Sequence, residues 1–496
     1  MNIKEARDEI IHTVKAYLQK DENGAYCIPP VNQRPLLLMG PPGIGKTRIM
    51  EQAARACGVA LVSYTITHHT RQSAVGLPTL QKETLGGKER TVTVYTMSEI
   101  IGSIYRRMEE TGLREGILIL DEINCVSEKL APTMLQFLQN KTFGNEAVPE
   151  GWVIAAAGNP PEYNRSVREF DIVTLDRVRR MDITPDFSVW MEYARGQRLH
   201  PAILSYLSLR PQHFYTVVPD VDGARFVTAR GWEDLSRLLT VYEQLSIPVD
   251  AGVVGEFLQH EEIARDVAAY FDLYKKYRDD YGVEGILQGS PSPQAFQRVY
   301  KAPFDERLSL VNLLLSGLFT RFAGALDRED VVDDCYAFLK QYRTALATAA
   351  ESPAALYRAL LQQRETVLQK QKAAGLLSPR ALSLRQDAQR ALLTLTPSAL
   401  EGDAAFEECR RGFEALVGEK EEWEDRAESA LDHALDFVEA AFENGQESVV
   451  FLTELALHPD ANRFLSGHPN DRFAQKSRTL LLSSRREALL DTLRRG

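Results

Sequence analysis

Cysteine is scarce in this sequence, and long apolar runs are missing from it. The 496 residues include five cysteines, scattered and without a C-x-x-C pair, which disfavours a disulfide-rich secreted domain and indicates reduced thiols. The first ten residues mix charged and apolar side chains and lack the apolar core of a signal peptide. The most apolar stretch, 308–318, is interrupted by polar residues and is shorter than the roughly 18 residues of a membrane span. We therefore expect a core helix there, no membrane span and a cytoplasmic location.

An excess of positive charge is also absent. The chain has 58 Lys and Arg against 69 Asp and Glu, a formal net charge of −11. Because proteins that grip nucleic acid normally present a basic surface, this balance argues against nucleic acid as the main partner. A local basic channel remains compatible with an acidic total.

The order of apolar segments predicts an α/β region followed by an all-α region. Short apolar runs alternate with helical patterns up to about residue 190, which is typical of a parallel sheet flanked by helices. A single core stops growing at roughly 250–300 residues, so several domains are expected. The predicted segments are an N-terminal helix and loop at 1–33, an α/β core at 34–190, a helical segment at 191–288 and a helical C-terminal region at 294–496.

A glycine-rich loop lies between the first apolar strand and a helix. Residues 40–47 match the pattern G-x-x-x-x-G-K-[ST], in which backbone N–H groups and a helix N-terminus surround phosphates. Lys46 is then expected to reach the β- and γ-phosphates of ATP, and the Thr47 hydroxyl to bind Mg²⁺. The residues expected to contact the nucleotide are Gly40, Pro41, Pro42, Gly43, Ile44, Gly45, Lys46, Thr47 and Arg48.

Two later strands end in polar residues suited to the same chemistry. The apolar run at 117–120 leads directly into Asp121 and Glu122, and carboxylates at the carboxyl end of a strand lie where α/β sheets bind ligands. Asp121 is expected to hold Mg²⁺, and Glu122 to act as the base that polarises the attacking water. Asn159 follows another apolar run and is a candidate for positioning that water or contacting the γ-phosphate; a turn-forming Asn before Pro160 is the alternative.

The order of these motifs resembles that of AAA+ ATPases, and finer details resemble the MoxR group. Residues 121–124 are similar to its DEIN box, 158–160 to its sensor-1 NP, 175–177 to its LDRF box, and 226–232 to its SPRA-type sensor 2. The resemblance covers about 34–285. It implies an AAA+ fold with a helical lid at 191–288, Asn159 as sensor 1, Arg177 as an arginine finger for a neighbouring subunit, and Arg230 as the sensor-2 contact.

Departures from the family pattern leave the arginine finger open. This chain has Val178-Arg179-Arg180 after Arg177, where the family usually has phenylalanine, so Arg179 and Arg180 are alternatives. A surface ion pair is the ordinary alternative role for any of the three arginines.

Two segments are predicted to form hairpins. Alternating residues around Gly86-Gly87, up to Tyr95, predict the first, which resembles the helix-2 insert that the family directs towards a central pore. Residues 143–146 predict the second. A surface hairpin without a substrate role is equally open for both. The adjacent His68 and His69 do not indicate a metal site, because neighbouring side chains of a strand point to opposite faces.

The sequence is compatible with three functions. The resemblance implies a homo-oligomer, a ring of six subunits, that uses ATP and Mg²⁺ to remodel or activate a client protein, often with a von Willebrand factor A-domain partner. A nucleic-acid motor is the second hypothesis, for which basic residues in 87–90 and 106–114 could line a pore. A nucleotide-gated scaffold is the third. Composition does not assign a role to residues 294–496.

Overall fold

The apolar runs of the first third of the chain form the strands of one sheet in the computed structural model. The structure describes residues 1–66, 76–126, 130–143, 146–163, 167, 170–220, 223–348, 351–398, 401–443 and 445–479. The strands are β1 (Leu36–Met39), β2 (Ala60–Thr65), β3 (Pro78–Leu85), β4 (Lys88–Tyr95), β5 (Gly116–Asp121), β6 (Thr142–Phe143), β7 (Glu146–Ala147), β8 (Trp152–Gly158), β9 (Arg179–Asp182), β10 (Thr216–Asp220) and β11 (Gly223–Val227).

Five of these strands form a parallel sheet in the order β2-β5-β8-β1-β9. Every residue of β1 and of β8 is buried, as expected for a sheet covered on both faces. The predicted α/β class with a flanked parallel sheet is confirmed. Because the strands are parallel, the loops after β1, β5 and β8 emerge at the same edge.

Helices cover this sheet, and their ends are set by local sequence. The helices are α1 (Ile3–Leu18), α2 (Lys46–Cys57), α3 (Glu99–Thr111), α4 (Ala131–Asn140) and α5 (Ile172–Asp176). Asn2 and Glu5 form a capping box at the start of α1. Gly58 ends α2 in the left-handed conformation, which glycine adopts without steric cost.

Both predicted hairpins are present. β3 pairs antiparallel with β4 around Gly86-Gly87, and both glycines have positive φ. β3 starts at Pro78, earlier than the alternating pattern suggested. β6 pairs with β7, while Gly144 and Asn145 of the expected turn lie outside the described residues. His68 and His69 lie outside them as well.

The chain after residue 186 is mostly helical, which confirms the predicted helical C-terminal region. Its helices are α6 (Phe187–Gly196), α7 (Pro201–Leu209), α8 (Ala229–Gln244), α9 (Ala251–Phe257), α10 (Glu261–Tyr281), α11 (Val283–Leu287), α12 (Pro293–Lys301), α13 (Phe304–Leu346), α14 (Pro353–Ala374), α15 (Pro379–Thr394), α16 (Gly402–Phe442), α17 (Gln446–Leu457) and α18 (Pro459–Gly467). The antiparallel hairpin β10–β11 interrupts the segment expected to be all helical. Its β-branched residues Thr216, Val217, Val218 and Val227 favour extended backbone.

The chain forms two compact units. The first joins 1–189 with 364–382, and the second joins 190–363 with 383–496. The division into four segments expected from the sequence stays a prediction. Within the described part of the chain, α13 alone has the length and composition that would suffice to cross a membrane, and 56% of its most apolar stretch is buried inside the protein.

His458 makes the stability of the second unit depend on pH. It is 4% exposed and stacks on Phe319 with ring centroids 3.6 Å apart. The pKa of His458 is lowered from 6.5 to about 4, chiefly by burial; the Asp460 carboxylate opposes this shift, and the positive charges of Arg195 and Arg198 contribute to it.

The unfolded chain therefore binds more protons than the folded protein between those two pH values. The free energy of unfolding should fall as pH decreases from 6.5 to 4, by about 3 kcal/mol from this group. Denaturant titrations at pH 4 to 8 should show a smaller loss for His458→Phe, which keeps the ring stack. An equal loss in both proteins would contradict this assignment.

Candidate active site

The loop between β1 and α2 has a backbone that only glycine accommodates at several points. Gly43 and Gly45 have φ of 72° and 97°, values that L side chains rarely adopt. A Cβ on Gly40 would lie 2.7 Å from the carbonyl oxygen of Ile183. The loop is thereby held against the segment that follows β9, with Gly45 immediately before the first turn of α2.

Lys46 is buried at the centre of this loop, with 9% of its surface exposed. Its Nζ donates hydrogen bonds to the carbonyl oxygens of Gly40 (2.8 Å) and Pro41 (2.9 Å) and to Oδ1 of Asn159 (2.8 Å). A buried ammonium group needs such acceptors, because desolvation of an unpaired charge is costly. The same contacts place the positive charge beside the carboxyl ends of β1 and β8.

Thr47 and Asp121 come together as expected of two magnesium ligands. The Thr47 hydroxyl donates to Oδ2 of Asp121 over 2.9 Å, although 74 residues separate them in sequence. A hydroxyl and a carboxylate are oxygen donors of the kind that Mg²⁺ prefers together with substrate phosphates. The donor set therefore fits this metal, and both roles stay predictions.

Glu122 has a strained backbone at the point where β5 ends. Its φ is 56°, which is uncommon for a non-glycine residue. Its backbone N–H donates to Oδ1 of Asp121 over 3.0 Å, and its side chain is half-buried. The strain turns the chain sharply after Asp121 and leaves the Glu122 carboxylate partly accessible, which suits the predicted base.

The local electrostatics favour a protonated thiol beside these carboxylates. Burial raises the pKa of Cys125, and the negative charges of Glu122 and Asp121 raise it further. A protonated thiol is a poor nucleophile. Cys125 is therefore not expected to take part in covalent chemistry here.

Asn124 is a residue of the site to which the sequence assigned no role. Its side chain is 2% exposed, and its Nδ2 donates to the backbone oxygen of Asn159 over 2.7 Å. Its Oδ1 is buried without a hydrogen-bond partner among the described residues, an arrangement that costs about 1–3 kcal/mol. The DEIN-like box contained Asn124, but no local pattern indicated which loop it would contact.

The five arginines singled out in the sequence lie in different surroundings. Arg177 is exposed at the C-terminus of α5 and donates to Gln139. Arg179 pairs with Glu9 and with the Thr13 hydroxyl (2.7 Å), and Arg180 pairs with Asp182 (2.9 Å). Arg230 is exposed in the first turn of α8, in the second unit. Arg48 is exposed and pairs with Glu51 (3.0 Å), and its predicted contact with the nucleotide stays a prediction.

Comparison with known proteins agrees with this geometry. Residues 35–178 match the family model described as AAA domain, dynein-related subfamily. A search of curated proteins gives no match to the chain. The matched range includes the glycine-rich loop at 40–47 (the P-loop), Asp121, Glu122, Asn159 and Arg177. Residues 35–178 therefore form the AAA+ ATPase domain of this chain, which continues into a largely helical C-terminal region.

Proposed function

We propose that the chain is a MoxR-type AAA+ motor that couples ATP hydrolysis to the remodelling or activation of a client protein in the cytoplasm. One observation carries the ATP-dependent part, and it consists of two hydrogen bonds at the carboxyl edge of the sheet. Lys46 Nζ donates to Asn159 Oδ1 over 2.8 Å, and the adjacent Thr47 hydroxyl donates to Asp121 Oδ2 over 2.9 Å. Such an edge is where α/β folds bind phosphate-bearing ligands. The MoxR type, the client, the ring and the partner are inferred from the motifs of residues 121–124, 158–160, 175–177 and 226–232.

The residues of this edge divide the chemistry among themselves. Lys46 neutralises phosphate charge once it exchanges its present oxygen partners for those of ATP. Thr47 and Asp121 would hold Mg²⁺, which when bound supplies positive charge against the phosphate oxygens. Glu122 aligns the attacking water and accepts its proton, and Asn159 orients the group being transferred.

The sheet register supports an arginine that acts on a neighbouring subunit. Arg179 is level with Leu36, the first residue of β1, so Arg177 lies beyond the amino end of the strands. The P-loop follows Met39 at the carboxyl end, roughly 10 Å or more away along a four-residue strand. Arg179 and Arg180 pair with carboxylates of their own chain, those of Glu9 and Asp182, whereas Arg177 donates to the neutral amide of Gln139. Arg177 is therefore the better candidate.

Arg177→Ala is expected to leave ATP binding intact and to reduce turnover by about 10³-fold or more. The change removes an exposed side chain from the end of α5 and should not affect folding. Nucleotide titration and phosphate release should be measured on the same preparation. Arg180→Ala is the matched control and should keep wild-type turnover; loss of turnover in that variant alone would transfer the role to Arg180.

Mixing two inactive variants tests whether the site is shared. Arg177→Ala subunits still bind ATP, whereas Lys46→Ala subunits still offer Arg177 to a neighbour. Their mixture should regain part of the wild-type turnover if the chain assembles as the proposed homo-hexamer. A mixture as inactive as its components would contradict an arginine supplied by the neighbouring subunit.

The β3–β4 hairpin is the surface that we propose for contact with the client, because it presents exposed side chains such as Leu80 (75% exposed). A Glu122→Gln form held in the ATP state should retain the client and, if present, a von Willebrand factor A-domain partner. Removal of residues 79–94 should abolish client retention without abolishing ATP hydrolysis. Failure of the ATP-held form to retain any protein would contradict client remodelling.

A further inference from the structure

We propose that Asn124 is a positioning residue for ATP turnover, which fixes Asn159 against Lys46 by holding the backbone of the loop after β8. This inference rests on the proposed ATPase site. It assigns to Asn124 a role in the rate of the chemical step, separate from nucleotide binding.

The contact network joins the loop after β5 to the loop after β8. The backbone N–H of Ile123 donates to the oxygen of Ala157 over 3.0 Å, and Nδ2 of Asn124 donates to the oxygen of Asn159 over 2.7 Å. The two hydrogen bonds thus end on the residues directly before and directly after Gly158. The backbone after Asp121 and Glu122 and the backbone of Asn159 are thereby held next to each other.

Gly158 provides the space that Asn124 needs. A Cβ on Gly158 would lie 2.6 Å from Oδ1 of Asn124 and 3.1 Å from Sδ of Met39. The first distance is too short for any real contact, so a side chain here must displace Asn124. Asn124 and Gly158 therefore form a matched pair, in which one residue fills the space that the other leaves free.

The consequence for turnover follows from where Asn159 is tied. Pro160 restricts Asn159 to extended backbone, and Asn124 fixes the direction of its carbonyl group. These constraints set the direction of the Asn159 side chain, whose Oδ1 accepts from Lys46 over 2.8 Å. Without the hydrogen bond from Asn124, the side-chain amide of Asn159 can shift relative to Lys46. A misplacement of about 1 Å can reduce a rate by about 100-fold.

The test compares Asn124→Ala, Asn124→Leu and Gly158→Ala with a control that strains the same sheet elsewhere. The control is Gly116→Ala, because a Cβ on Gly116 at the amino end of β5 would lie 2.5 Å from the Trp152 ring. The measurements are kcat and KM for Mg-ATP, nucleotide affinity and the unfolding midpoint. The first three variants should lose about 10- to 100-fold in kcat with KM and affinity within about threefold.

Gly116→Ala should lose stability with no change in kcat per folded molecule. The double variant Asn124→Ala/Gly158→Ala should be no slower than the slower single variant, because alanine removes the oxygen that the new Cβ would meet. A kcat for Asn124→Ala and Asn124→Leu within about threefold of wild type would overturn the positioning role. A wild-type protein without ATP turnover would instead contradict the proposed function itself.

Discussion

Replacing Lys46 with alanine is expected to cause a large loss of affinity for ATP. The Lys46 ammonium is the buried cation of the loop and donates to Gly40, Pro41 and Asn159. Hydrogen bonds to charged groups contribute about 1.5–3 kcal/mol each, so the loss of this group should weaken nucleotide binding by about 100-fold or more. Titration with a fluorescent ATP analogue or calorimetry measures the affinity directly.

A matched control separates this effect from a general loss of positive charge. Arg55 lies in the last turn of the same helix, α2, at the end away from the loop. Arg55→Ala should bind ATP with wild-type affinity. If Lys46→Ala bound ATP as tightly as Arg55→Ala does, residues 40–47 would not be the phosphate site.

Glu122→Gln is expected to show the opposite behaviour, with ATP bound and hydrolysis lost. The amide has the shape of the carboxylate but cannot accept the proton of the attacking water. General bases typically contribute about 10²–10⁴-fold to a rate, and the loss of turnover should lie in that range. Affinity for ATP should stay unchanged, since Lys46 and Thr47 remain in place.

The control for this variant lies at the other end of the same strand. Glu115 precedes β5 and pairs with Lys20 over 2.6 Å. Glu115→Gln removes a carboxylate from the amino edge of the sheet and should leave kcat unchanged. Equal loss of turnover in both variants would mean that the effect reflects the stability of β5, and Glu122 would not be the base.

The α/β framework could be predicted because its strands are continuous apolar runs. The run at 117–120 and the run at 153–157 match β5 and β8 to within one or two residues. The loop 40–47 has a motif whose spacing reflects its chemistry, so Lys46 and Thr47 could be named before the structure. Asp121 could be named for the same reason, since it ends an apolar strand.

The contact between Asn124 and Asn159 could not be predicted in this way. It depends on β5 and β8 being neighbours in the sheet and on a register that places Leu120 level with Ala156. Neither is encoded within a short window of sequence. The need for glycine at position 158 follows from the same contact and is invisible until Asn124 is placed beside it.

The helical part of the chain after residue 186 shows a similar limit. Prolines at 353, 379 and 459 marked the starts of helices α14, α15 and α18, because proline fits the first turn and lacks the N–H that a helix interior needs. The β10–β11 hairpin was missed, since five-residue strands within a helical region give a weak periodic signal. Periodicity also did not reveal that α13 and α16 run unbroken for 43 and 41 residues.

Release of phosphate from Mg-ATP by the purified chain tests the central claim most directly. Wild-type protein should release phosphate in a reaction that stops when Mg²⁺ is chelated, and Glu122→Gln should bind ATP without releasing phosphate. Folded wild-type protein that releases no phosphate at any protein concentration, or a Glu122→Gln variant that matches the wild-type rate, would contradict an ATP-hydrolysing site built from Lys46, Asp121 and Glu122.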